Sequence, residues 1–280
     1  IADGNNRRVR MVSAATGVIT TVAGSGAQGN SGDGASAISA SFWYINGIAV
    51  DGAGNLFIAD TYNYRIRKVT KSNGVISTIA GSGVADFSGD GGPATNAGLN
   101  APFDVGVDSA GNVYVVDTAN NRIRKVSVAT GVITTLAGNG EENFSGDNGA
   151  ATNARLNAPS GVAVDSVGNI FVADEENNRI RMVSTAGVIT TVAGNGSSSF
   201  SGDGGAATSA GMRNPYGVAI DSAGNLFIAD SGNARIRKVS TAGVITTVAG
   251  NGFAGYSGDG NAATSASLRY PTGVQPLHRR

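Results

Sequence analysis

The chain has 280 residues, with 20 Lys plus Arg against 20 Asp plus Glu, 43 Gly, no Cys and a single His. Neutral charge weighs against nucleic-acid binding by bulk attraction to phosphate, and the lack of Cys removes disulfides, thiolate metal sites and Cys nucleophiles. One histidine, His278, leaves no His-clustered metal site and almost no His-dependent mechanism.

No apolar run approaches the ~20 residues of a membrane span. The chain opens on Ile1-Ala2-Asp3 without Met or a signal peptide, as expected of a processed product or an excerpt. In chain order, this first run ends on Asp and Arg8-Val-Arg-Met-Val12 follows. Gly17-Val-Ile-Thr-Thr-Val22 comes next, then a glycine-rich stretch with Ser31-Gly-Asp33. Gly47-Ile-Ala-Val-Asp51 and Asn55-Leu-Phe-Ile-Ala-Asp60 lead to Arg65-Ile-Arg-Lys-Val69, and the series starts again. Gly-Val-Ile recurs at Gly17, Gly74, Gly131, Gly187 and Gly243, in steps of 57, 57, 56 and 56. Ser-Gly-Asp recurs at Asp33, Asp90, Asp147, Asp203 and Asp259. Five copies of about 57 residues account for the chain, so residues 1–280 read as a single domain.

One unit gives the local structure. Gly161-Val-Ala-Val-Asp165, Asn169-Ile-Phe-Val-Ala-Asp174, Arg179-Ile-Arg-Met-Val183 and Val188-Ile-Thr-Thr-Val192 are short β-branched runs bounded by Gly, Asn, Asp and Ser. That pattern predicts four strands joined by turns, and four strands per repeat of this length predict a β-propeller blade. The Ala-rich half of each long connection, as in Phe200 to Ala210, predicts a helical turn capped by Ser or Asp. The chain starts in a second strand and ends just after a first strand begins, at Tyr270-Pro-Thr-Gly-Val274. The expectation is therefore five four-stranded blades in a ring closed by the N- and C-terminal strands, which removes open sheet edges. Gln275-Pro276-Leu277 stands where other units have Ala-Val-Asp, so the closing strand should be short. A six-bladed ring and an open array continued by another chain are the alternatives.

Pro-x-Gly-Val-Ala-Val-Asp, Gly-Asn-Leu-Phe-Ile-Ala-Asp and Asn-x-Arg-Ile-Arg-Lys-Val together resemble the NHL-repeat β-propeller family. The insert Ser88 to Ala97, Ser-Gly-Asp-Gly-Gly-Pro-Ala-Thr-Asn-Ala, resembles the long-repeat variety of secreted and cell-surface proteins. The resemblance covers all five copies. It implies protein-binding, adhesion, RNA-binding or lyase propellers; the lyases need a histidine cluster absent here, and the RNA binders a basic face.

A feature present in every blade reads as scaffold. The Asp-then-Arg pairs Asp3/Arg8, Asp60/Arg65, Asp117/Arg122, Asp174/Arg179 and Asp230/Arg235 read as braces across the loop between strands two and three. The Ser-Gly-Asp segments offer one carboxylate each, too few for calcium, and read as turns. The glycine-rich stretches lack a Walker Lys. Inner-strand positions such as Ala49, Gly106, Ala163 and Ala219 carry no ligand or acid–base group, which argues against an enzyme.

Function is expected where equivalent positions differ. The candidate interaction face comprises Asn46, Tyr62, Tyr64, Phe103, Asp104, Glu141, Glu142, Glu175, Glu176, Tyr216 and Phe253, rich in the aromatic types that anchor interfaces. Trp43-Tyr44 departs from the usual Asn-Ala and suits either inter-blade packing or recognition. Asn143-Phe-Ser145 and Asn195-Gly-Ser197 are candidate N-glycosylation sequons, which would make a secreted chain a glycoprotein. The resulting expectation is a non-enzymatic extracellular propeller, secreted or at the cell surface, without a cofactor. It serves as a protein-interaction or structural-assembly module. Its partners would be other chains, copies of itself or an extracellular glycan, and not nucleic acid. The alternatives are a lactonase- or lyase-type enzyme with a metal at the channel mouth, where Asp104 is the one non-repeated carboxylate, and an RNA-binding NHL domain.

Overall fold

β-Branched residues tolerate the extended backbone, and glycine allows the sharp reversals between short runs. The computed structural model, which describes residues 1–275, accordingly shows an all-β chain of five β-propeller blades joined by short 3-10 turns. The chain divides into two compact units, Ile1–Leu136 and Ala137–Arg280.

The first unit holds three sheets. The first is β1 (Ala2–Asp3), β2 (Arg8–Val12) and β3 (Ile19–Ala23); the second is β4 (Ile45–Val50), β5 (Leu56–Asp60), β6 (Arg65–Val69) and β7 (Ile76–Ala80). The third is β8 (Pro102–Val107), β9 (Val113–Asp117), β10 (Arg122–Val126) and β11 (Ile133–Ala137), whose last residue passes the unit boundary. The second unit holds β12 (Pro159–Val164), β13 (Ile170–Asp174), β14 (Arg179–Val183) and β15 (Ile189–Ala193), and then β16 (Pro215–Ile220), β17 (Leu226–Asp230), β18 (Arg235–Val239) and β19 (Ile245–Ala249). Neighbouring strands run antiparallel in chain order, and each inner strand starts opposite the Asp that ends the second, as in Pro159↔Asp174 and Pro215↔Asp230. The turn residues Asp51, Asp108, Asp165 and Asp221 each accept from the backbone N–H four residues on, which closes the turn between the first and second strands.

Side chains alternate between faces, and the connections fill the space between successive sheets. In the first unit Ala94, Ala97 and Leu99 of one connection are packed with Ile66, Val115 and Ile133. In the second, Ala207, Ala210 and Met212 do the same with Ile180, Ile228 and Ile245. Each fully buried large side chain there contributes about 1.5–3 kcal/mol of hydrophobic stabilisation. The Ala-rich turns are present, but neither Ser nor Asp caps them. Backbone replaces the cap: the Ala94 N–H donates to the Gly131 carbonyl and the Ala207 N–H to the Gly243 carbonyl.

The closing strand is the main departure from expectation. Tyr270–Gln275 forms no strand, and the first sheet has three strands, β1 to β3. Thr272 follows β16 as a further inner strand would, since a Cβ on Gly217 would meet its carbonyl oxygen. Within its own unit, however, no second strand remains to give it a ladder, and Pro271 has no N–H to donate. The rest of the expected closing segment, 276–280, lies outside the described residues.

Candidate functional site

The repeated Asp-then-Arg brace is real but uses a different arginine. Asp60 faces Arg65 in the ladder, yet its ion pair is with Arg67, two residues further on. The fully buried Arg67 guanidinium lies 3.4 Å from Asp60 Oδ2 and 2.8 Å from Asp33 Oδ1 of the preceding connection. Arg124 joins Asp117 and Asp90 in the same way in the first unit; Arg181 joins Asp174 and Asp147, and Arg237 joins Asp230 and Asp203, in the second. The Ser-Gly-Asp carboxylates thus clamp connection to blade, rather than merely shaping turns. The predicted arginines do another job. Arg122 lies 3.6 Å from the Phe87 ring centre, Arg179 3.7 Å from Phe144 and Arg235 3.6 Å from Phe200. Two carboxylates share one guanidinium, and the buried one bears the cost. Burial raises Asp60 to about 6, against hydrogen bonds from Asn63 and the Trp43 amide and the charge of Arg67. Asp117, Asp174 and Asp230 are raised for the same reason.

In the first unit the variable positions gather around β4 and β5. Tyr62 sits in the turn Thr61–Asn63 and stays about half exposed. Its ring meets Trp43 edge-on at 5.9 Å and Tyr44 at 5.7 Å, a three-ring cluster that joins Tyr62 of the expected interaction face to the Trp43-Tyr44 pair expected in either packing or recognition. Asn46 donates to the Thr61 hydroxyl at 2.9 Å and so fixes the turn that carries Tyr62. Tyr64 is half-buried and occupies a left-handed position, φ 55°, where Asn121 stands in the next blade. Phe103 and Asp104 are half-buried on β8 against β4, where a Cβ on Gly47 would strike both.

In the second unit Glu175 and Glu176 open the turn Glu175–Asn177. Burial is the main cause that pushes Glu175 to about 7; a hydrogen bond from Ser160 opposes it and the charge of Glu176 adds to it. The Ser160 hydroxyl also lies 2.9 Å from the carbonyl of the half-buried Tyr216, so that carbonyl competes with Glu175 for its single hydrogen. Asn214 Nδ2 lies 3.5 Å from Glu176 Oε1. Glu141 of the candidate face does not stand free: it forms an exposed ion pair with Arg155. Such pairs contribute about 0–1 kcal/mol. Glu142 and Phe253 are exposed.

Both sequon asparagines are exposed. Asn143 accepts from Asn177 Nδ2 through its carbonyl, at 2.9 Å, and its sequon partner Phe144 lies under Arg179. Asn195 already donates to the Ser209 carbonyl and accepts from the Ser197 amide. Among the described residues no three His, Cys, Asp or Glu side chains are grouped as a metal ion would require, and no helix is long and apolar enough to cross a membrane.

Repeated four-stranded blades with this strand grammar define an NHL-repeat β-propeller protein. More narrowly, the chain belongs to the family described as the Teneurin NHL domain, whose model matches residues 5–87, 83–144, 139–201 and 195–257. It is 29% identical over 249 residues to Suppressor of Quenching 1, chloroplastic, of Arabidopsis thaliana, covering 84% of this chain and 23% of that protein. The chain spans less than a quarter of the curated relatives it matches first. A chain of the nidogen/laminin complex superposes with a TM-score of 0.63 at 15% identity, covering 98% of this chain and 80% of its own. A gluconolactonase from Xanthomonas campestris gives 0.58 at 15% identity, covering 95% and 72%. These two likenesses bear on the fold alone.

Proposed function

We propose that this chain is a non-enzymatic interaction module that works outside the cell and holds a protein partner through exposed aromatic side chains. The observation that carries the reading is the Trp43–Tyr44–Tyr62 cluster. Large rings held edge to face on a turn braced by Asn46 are rigid before binding, so little side-chain entropy is lost on contact. The close approach of Gly47 to Asp104, and of Gly161 to the Tyr216 backbone, supports a scaffolding role for the inner strands, where a side chain has no room. The family match supports an adhesion-type or assembly role. The test is partner capture from an extracellular-matrix or cell-surface fraction by the immobilised chain, compared with Tyr62→Ala. Equal capture by both would overturn the reading, and competition by glycan fragments would move it from protein to glycan. Export is tested by secretory expression and a glycosidase-sensitive mass shift that Asn143→Gln or Asn195→Gln removes.

A second reading, a propeller enzyme of the lactonase or lyase kind, is favoured by one observation. Glu175, at about 7 beside Ser160, has the proton affinity of a general acid or base near neutral pH. Turnover of a lactone panel that Glu175→Gln abolishes would establish it.

A further inference from the structure

The arginine that opens a third strand donates to the carbonyl of a residue followed by glycine. In the first unit Arg8 meets the Ser25 carbonyl at 2.7 Å and Arg65 the Ser82 carbonyl at 3.0 Å, with Gly26 and Gly83 next. In the second unit the residue is Asn. Arg179 Nη2 donates to the Asn195 carbonyl at 2.9 Å and Arg235 Nη2 to the Asn251 carbonyl at 3.1 Å, ahead of Gly196 and Gly252. Serine serves the scaffold equally well, so the side-chain amide is an addition to it. Around Asn195 the groups needed to make that amide react are assembled. Its Oδ1 accepts from the Ser197 N–H at 2.8 Å, which closes a small ring containing both Asn195 Cγ and the Gly196 nitrogen. The same N–H polarises the side-chain carbonyl and is placed to hold negative charge on Oδ1. The Arg179 guanidinium binds the carbonyl conjugated to the Gly196 nitrogen, and a cation there favours loss of the Gly196 amide proton. That N–H donates to none of the described residues, and glycine has no side chain to shield it. Asn195 is exposed, so water reaches it.

We propose that Asn195-Gly196 is a self-modifying site, at which the side-chain amide becomes a carboxylate by way of a cyclic imide. Solvent hydroxide removes the Gly196 amide proton, and the nitrogen bonds to Asn195 Cγ. The Cγ–Nδ2 bond then breaks, and Nδ2 leaves as ammonia with a proton from water. A second water opens either imide C–N bond, which leaves an aspartyl or an isoaspartyl residue at position 195. Water is the only co-reactant, and nothing is oxidised or reduced. Asn251-Gly252 has the same donors, the Phe253 N–H at 2.9 Å and Arg235, but it is half-buried and should follow more slowly. Conversion ends the bond from Asn195 Nδ2 to the Ser209 carbonyl, at 2.9 Å, and sets a carboxylate oxygen against that carbonyl. The tie between the glycine turn and the turn Ala207–Ser209 is lost, so an aged chain has a loosened connection and an added negative charge. A converted chain also no longer offers the amide that a glycan needs at this sequon.

The test is a mass-spectrometric peptide map, with digestion in mild acid, of the 280-residue chain made without glycans and held folded at neutral pH. A synthetic peptide of residues 193–199 is aged beside it, and isoaspartyl methyltransferase labelling identifies the product. Asn195 in the folded chain is expected to convert at least as fast as in the peptide, and faster than Asn251. Arg179→Met should slow conversion at position 195 by ~10-fold or more, as loss of a charge-stabilising donor does, and leave Asn251, which has its own arginine, at the wild-type rate. Arg179→Lys, which keeps the charge, should recover part of the rate. Melting curves verify that both variants are folded, and the comparison of wild type with peptide needs no variant. A folded chain whose Asn195 outlasts the peptide or Asn251, or a folded Arg179→Met chain that converts at the wild-type rate, would overturn the proposal.

Discussion

Arg181 Nη2 lies 2.8 Å from Asp147 Oδ1, a residue 34 positions earlier in the chain, while its Nη1 lies 3.1 Å from Asp174. The guanidinium is completely buried, as is Asp174, whereas Asp147 reaches solvent. Removing the cation strands a buried carboxylate. Arg181→Met should therefore cost about 3–5 kcal/mol, whereas Asp147→Asn keeps the buried pair and should cost no more than about 1–2 kcal/mol. Urea melts of the two variants check the order; equal losses would show that the two carboxylates share the load evenly.

Glu175 gives a pH signature. Its folded value, about 7, lies above the unfolded value of about 4.3, so the folded chain holds the proton more tightly. The stabilisation is complete below the unfolded value and lost as pH rises through about 7. Glu175→Gln should raise the melting temperature relative to wild type at pH above that value and make little difference in acid. A benefit confined to acid would contradict the burial argument.

Ala234 holds φ 51° at the position that Asn121 and Asn178 fill elsewhere, with φ 52°. A left-handed non-glycine residue without a polar side chain bears about 1–2 kcal/mol of strain. Ala234→Gly should stabilise the chain by about 0.5–1 kcal/mol, since relief of strain outweighs the extra unfolded entropy. Thermal melting decides it; destabilisation would mean that the buried methyl matters more than the backbone.

Tyr62→Ala should weaken partner binding by more than ~10-fold with folding nearly intact, as truncation of a packed anchor does. Phe103→Ala and Tyr216→Ala act on half-buried rings, so their binding loss should come with a measurable loss of stability. Ser109→Ala and Ser222→Ala, in the turns between first and second strands, should change neither. Binding and melting measured on the same samples separate the three cases.

Strands and blades were legible in the sequence because period-two apolar runs and glycine turns are local properties. Partner choice was not local. Arg65 and Arg67 look alike in Arg-Ile-Arg and, two residues apart, share one face of the strand; only the connection packed along that face decides that the first reaches a carbonyl while the second enters the clamp. Tyr62 was picked out because it varies between blades, but its neighbours Trp43 and Tyr44 come from a connection in the preceding repeat, and only the fold brings them together. Tyr270-Pro-Thr-Gly-Val274 likewise has the composition of an inner strand, but a strand is defined by its ladder partner, and the described residues 270–275 form none.

The reach of the clamp also governs how the protein is made. Each buried arginine of a clamp meets carboxylates no more than 34 residues before it, and the Ala turns at Ala37, Ala94, Ala151 and Ala207 each meet a glycine in the following hairpin. The clamp of a blade is therefore complete soon after that blade leaves the ribosome. Loop-closure entropy stays small and is met once per repeat. Synthesis and folding can proceed in step from the N-terminus, each finished blade offering its connection as the template on which the next one docks.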